Sequence, residues 1–120
     1  MSSLELNEIA NHWFAAFNGK NLEGLLALYD DNAVHFSPKL KVRHPETNGM
    51  INGKNALRTW WQDAFVRLPS LYYEVVRLTP CDDRIFMEYI RHVSGENDLF
   101  VGEMLEIRQG LIVKSSVFHQ

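Results

Sequence analysis

The sequence predicts an α+β fold. Hydrophobic residues recur at helical spacing through the first half of the chain and adopt the period of strands in the second. Turn chemistry is the third observation. Pro80-Cys81-Asp82-Asp83, Gly95-Glu96-Asn97-Asp98 and Gln109-Gly110 separate four β-rich segments at hairpin spacing. Three N-terminal helices packed on one face of an antiparallel sheet are therefore expected, in a single domain over residues 1–120.

In the first helix Leu6, Ile9, Ala10, Trp13, Phe14 and Phe17 form one apolar stripe. Ser2 and Glu5 have the spacing of a capping box, and Asn18-Gly19 supplies a stop. Asn21 is placed to cap a short second helix with Leu22, Leu25, Leu26 and Tyr29 on its stripe, ended by Asp30-Asp31-Asn32. Ala33 to Ser37 reads as a brief strand stopped by Pro38, and Pro38 to Gly53 as a long loop. The third helix runs from about Lys54 to Leu68, with Leu57, Trp60, Trp61, Ala64 and Phe65 among its apolar residues and Pro69 beyond its end. Leu71 to Thr79, Arg84 to Ser94, Leu99 to Gln109 and Leu111 to His119 then supply the strands.

The composition narrows the function classes. With 120 residues, 46% of them hydrophobic, the chain suits one packed domain. The net charge of −3 argues against a nucleic-acid surface, and the lone Cys81 excludes an internal disulfide and a multi-cysteine zinc site. The five histidines are dispersed without metal-ligand spacing, so neither metal nor cofactor is expected. No stretch is apolar enough to span a bilayer, and the acidic start is unlike a signal peptide, so a cytoplasmic location is expected.

Alternation along the strands nominates a site. Glu103 is the lone acid on the face formed by Leu99, Val101, Leu105 and Ile107. On Arg84 to Ser94, one parity holds Phe86, Glu88, Ile90 and His92 and the other Ile85, Met87, Tyr89, Arg91 and Val93. The reading adopted turns Glu88 and His92 inward and Arg91 outward. Phe100 and Met104, with Met87 and Tyr89, then suggest a second apolar face, best explained by a homodimer packing sheet against sheet.

Trp13-Phe14-Ala15-Ala16-Phe17-Asn18, the run from Asn21 to Val34, Gly53 to Trp61 and the closing Glu103 to Val113 together resemble the nuclear transport factor 2-like superfamily. The resemblance covers essentially the whole chain and is nearest the SnoaL-like polyketide cyclases and ketosteroid isomerase-type domains. It implies a cone-shaped α+β barrel, its strongly curved antiparallel sheet wrapped around three helices, with an internal pocket and frequent dimers through the outer sheet face. It also implies where isomerase roles fall. The oxyanion-hole acid falls near Glu103, while Ser37 stands at the general base and Trp13 at the tyrosine donor. The SnoaL-like cyclases use an acid–base residue in an apolar pocket, a part open to His35, His92 or His119 by residue type.

Together these readings nominate Glu103, His92 and His35 as catalytic, and Trp13, Ser37, Trp60, Glu88 and His119 as ligand-binding. The function expected is binding of a small, largely apolar carbonyl compound, with cofactor-independent isomerisation, cyclisation or dehydration. A protonated Glu103 would donate to a substrate oxygen and a neutral histidine would take a proton from the neighbouring carbon. A non-catalytic ligand-binding or dimerisation module is the alternative.

Overall fold

Three helices of the fold start where a side chain satisfies a free backbone group. The computed structural model describes residues 1–119. Helix α1 (Ser3–Asn18) begins with the expected capping box: Ser2 Oγ accepts from the Glu5 amide and Glu5 Oε1 from the Ser2 amide, both at 3.1 Å. Helix α2 is shorter than expected, Leu22–Leu26, and is capped by Asn21. The chain turns to strand at once, so β1 spans Tyr29–Phe36 and Tyr29 belongs to it.

The segment expected as a loop is ordered in three pieces. It forms helix α3 (Pro38–Arg43), a 3-10 turn (Pro45–Thr47) and strand β2 (Met50–Asn52). Pro38 stops β1 because it lacks an N–H, and for the same reason it suits the first position of a helix. Ser37 Oγ accepts the Lys39 amide at 3.2 Å and starts α3. Helix α4 (Lys54–Arg67) follows, then β3 (Tyr72–Cys81), β4 (Arg84–His92), β5 (Leu99–Arg108) and β6 (Leu111–His119).

The six strands form one curved sheet in the order β2-β1-β6-β5-β4-β3. The last four strands make the expected meander. Gln109 and Gly110 both take positive φ, 54° and 79°, as the tight β5–β6 turn requires. One junction departs from the antiparallel expectation: β1 runs parallel to β6, pairing His35 with Ser115. β1 thereby covers what would be the open edge of the meander. Register shifts in β1–β6, β3–β4 and β5–β6 bend the sheet. The bent sheet stays open, with β2 and β3 as its edges, so the expected barrel is an unclosed one.

Helices α1 and α4 lie in the concave side, α1 on β3 and β4 and α4 on β1 and β2. The core between them is aromatic. Trp13, Phe14 and Phe17 of α1 meet Tyr73, Tyr89 and Trp61 at ring separations of 4.8–6.1 Å. Met87 and Tyr89, read above as part of an outer apolar face, are buried in this core. The outer face keeps Phe86, Ile90, Phe100, Met104 and Phe118, with the Phe86 ring lying over Gly102, where a Cβ would approach it to 2.5 Å. Among the described residues no helix is long and apolar enough to cross a membrane.

Candidate functional site

A cavity of about 420 Å³ opens between the concave sheet, α1, α3 and α4. Its buried end is formed by Trp13, Trp61, Tyr73, Tyr89, His35 and Glu103, and its mouth by residues of α3, α4 and the β4–β5 loop. Six of the eight sequence-nominated residues line it: Glu103, His35, Trp13, Ser37, Trp60 and His119.

His92 and Glu88 lie elsewhere, and this corrects the strand parity adopted from the sequence. Buried residues on β4 are Ile85, Met87, Tyr89 and Arg91. β4 pairs with β5 so that Met87 faces Glu103 and Arg91 faces Leu99, which puts the odd positions of both strands on the concave side. His92 on the convex side is held between Glu74 at 2.8 Å and Asp98 at 2.9 Å. Those two carboxylates, Glu74 first, hold its pKa above the ordinary value. Glu88 is on that side too, 3.9 Å from Arg77. Hairpin register was the missed clue, because strand partners about the Gly95 turn sum to an even number and odd Glu103 demands an odd partner.

Glu103 is 2% exposed, and Tyr89 Oη donates to its Oε1 at 2.7 Å. Burial dominates that hydrogen bond and raises the carboxyl pKa from 4.5 to about 7. Its other oxygen has no partner among the described residues. It is not a sealed orphan either, since Asn7 Oδ1 is the one buried side-chain polar atom among them without a partner.

His35 stands at the end of a chain of hydrogen bonds that the sequence did not reveal. Trp13 Nε1 donates to Tyr29 Oη at 3.1 Å, Tyr29 donates to Ser115 Oγ at 3.1 Å, and Ser115 Oγ lies 2.6 Å from His35 Nδ1. The direction of the chain follows from its first member, because an indole N–H can only donate. Tyr29 accepts that bond and turns its own proton to Ser115. Ser115 is left to donate to Nδ1, and the reverse direction would strand the Tyr29 proton in the core. His35 therefore carries its proton on Nε2, which has no partner among the described residues. Burial lowers its pKa to about 4, so near neutrality it offers the cavity a neutral N–H donor.

The polar atoms of Ser37 and Trp13 are engaged within the protein, the hydroxyl on α3 and the indole N–H on Tyr29. His119 keeps its place at the mouth, its pKa lowered by burial and then by Lys39 and Arg91. Tyr89, Arg91, Lys39 and Tyr73 also line the cavity and were missed by the sequence reading. For Tyr89 and Arg91 the cause was the wrong parity. Lys39 was hidden in the segment taken as loop.

The sequence matches the profile of the family described as SnoaL-like domain over residues 10–115. No curated protein matches it. A SnoaL-like protein of unknown function from Burkholderia thailandensis is 20% identical, with a TM-score of 0.87 over 100% of this chain and 98% of that one. A candidate polyketide cyclase from Sinorhizobium meliloti is 18% identical, with a TM-score of 0.80 over 98% and 100%. A candidate ketosteroid isomerase from Kribbella flavida is 20% identical, with a TM-score of 0.79 over 97% and 78%. At such identities the likeness to these structures is one of fold.

Proposed function

The chain belongs to the SnoaL-like domain family, and on that footing we propose that its pocket binds a small, largely apolar carbonyl compound and performs acid–base chemistry on it without a cofactor. The observation that carries this reading is the shared pocket of Glu103, a carboxyl with a pKa of about 7, and His35, a neutral N–H donor. Two strand spacings separate them, roughly 10 Å of backbone, which leaves room for a small substrate between the side chains.

The roles run opposite to those expected from the sequence. Glu103 near neutrality is divided between acid and base, and its raised pKa makes its carboxylate a stronger base than an exposed one. It takes a proton from the carbon beside the carbonyl. The C–H electron pair moves into the carbonyl group, and the enolate oxygen is held by His35 Nε2–H. Return of the proton from Glu103 to a different carbon completes an isomerisation; attack of the enolate carbon on a second carbonyl breaks its C=O π bond, and the resulting alkoxide takes the proton from Glu103 to complete a cyclisation.

Deuterium incorporation beside the carbonyl of small aryl ketones and 1,3-diketones in D2O, followed by NMR, tests this without the natural substrate. The native protein should exchange above the buffer rate, with a rate that rises through pH about 7. Glu103→Gln should fall to background, and His35→Ala should lose roughly 10²–10³-fold, the usual loss for one oxyanion donor. Exchange that persists in Glu103→Gln would refute the catalytic reading. Ligand binding without any exchange would favour the second reading, a non-catalytic binding module. The engagement of the single Trp13 N–H by Tyr29 supports that alternative, since it is not free to donate to the carbonyl oxygen of a substrate.

A further inference from the structure

The mouth of the pocket differs in character from its aromatic interior. Arg91 of β4 is 7% exposed and gives its Nη1 to Glu96 at 2.7 Å. Its Nε and Nη2 form the other edge of the guanidinium, the edge that meets a carboxylate with two parallel bonds. Neither has a partner among the described residues, and neither is a sealed orphan. Lys39 of α3 lines the same mouth and has no ion-pair partner among the described residues. Burial first and the Arg91 charge second pull its pKa down, with Glu96 opposing.

Arg43 and Arg67 line the mouth as well but share Asp63, at 3.7 and 2.7 Å. Four cations thus meet two carboxylates, Asp63 and Glu96, so each pair of cations keeps one positive charge in excess, and of the two pairs it is Arg91 with Lys39 that includes a cation without an ion-pair partner among the described residues. Two like charges gathered where water is scarce repel one another. An anion placed between them relieves that repulsion and takes up the spare donors.

We propose that Arg91 and Lys39 form an anion subsite, which receives the carboxylate of an acidic ligand whose apolar body fills the aromatic interior. The subsite rests on the reading of this cavity as a ligand site and narrows its substrate class to carbonyl compounds that also bear a carboxylate. A monocarboxylate fits the charge, because Glu96 already balances one of the two cations. The guanidinium edge also suits a planar carboxylate.

Calorimetric titration with 2-naphthoate and with 2-acetonaphthone, which share one bicyclic body, separates the charge from the apolar fit. The native protein should bind the acid at least about tenfold more tightly than the ketone. Lys39→Gln and Arg91→Gln should each bring the two affinities to within about threefold while the ketone's own affinity holds. Lys41→Gln, on the same helix but exposed and outside the cavity, should change nothing. Lys39 is only partly buried, so its variant keeps the test valid if loss of Arg91 disturbs folding. Equal binding of acid and ketone by the native protein, or a preference that survives both substitutions, would overturn the subsite alone. Heat from neither compound would overturn the ligand site itself, and the subsite with it.

Discussion

Glu103 and His35 share one pocket and respond to pH in opposite senses. Folding raises the Glu103 pKa from 4.5 to about 7, so between those values the folded protein keeps a proton that the unfolded chain has lost. Its contribution to stability is full below pH 4.5 and is lost as the pH rises through 7, a change of about 3 kcal/mol. Folding lowers the His35 pKa from 6.5 to about 4, so that contribution is full above pH 6.5 and is lost as the pH falls through 4. The two slopes oppose each other between about pH 4.5 and 6.5. Removing either group should expose the other. Denaturant titrations from pH 4.5 to 8 should find Glu103→Gln gaining stability relative to the native protein as the pH rises, and His35→Gln gaining relative stability as it falls. Parallel curves for native protein and Glu103→Gln would show that the carboxyl is not held out of its ionised form. The difference between variant and native protein cancels the convex-side His92, whose pKa moves upward for an unrelated reason.

At the scale of elements, local chemistry decided where three of the helices begin, and pairing decided which way each strand faces. Ser2, Asn21 and Ser37 each accept a backbone N–H at the start of a helix. The first two caps were legible because an apolar stripe follows them. Ser37 was not, since the six residues of α3 show too little periodicity to separate a helix from a loop. Ser37 thus helps build the mouth as the cap of α3. Ser37→Ala should lower unfolding stability by about 1 kcal/mol, read from urea denaturation, while the affinity for neutral 2-acetonaphthone holds. A large loss of that affinity without a loss of stability would return Ser37 to ligand contact. In β4 both parities carry apolar residues, so alternation by itself left two answers. The wrong one hid Arg91 and Tyr89 and promoted His92 and Glu88, and the pairing of Met87 with Glu103 resolves it.

At the scale of the whole molecule the convex sheet face carries a row of apolar side chains that no helix among the described residues covers. Phe86, Ile90, Phe100 and Met104 are half-buried there, and Phe118 is 52% exposed. We propose that a second copy of the chain covers this face, as the apolar strands led us to expect. Sedimentation equilibrium at micromolar concentration should give twice the chain mass, and Phe118→Asp together with Phe100→Lys should return it to one. A native monomer at that concentration would dismiss the dimer. By itself the sequence determined the α+β class, the helix caps and the hairpin turns, and it singled out Glu103 on an apolar strand face. These are properties of neighbours along the chain, where periodicity and capping act over a few residues. Only the tertiary structure decided that β1 lies parallel to β6 and that Trp13, Tyr29, Ser115 and His35 form one directed chain of hydrogen bonds. It also decided that Lys39 and Arg91 meet at one mouth. Bonded neighbours in that chain of hydrogen bonds lie 16 to 86 residues apart in sequence, and no local preference encodes such a meeting. It depends on how the sheet pairs and bends, and that is fixed by burial of the whole core at once.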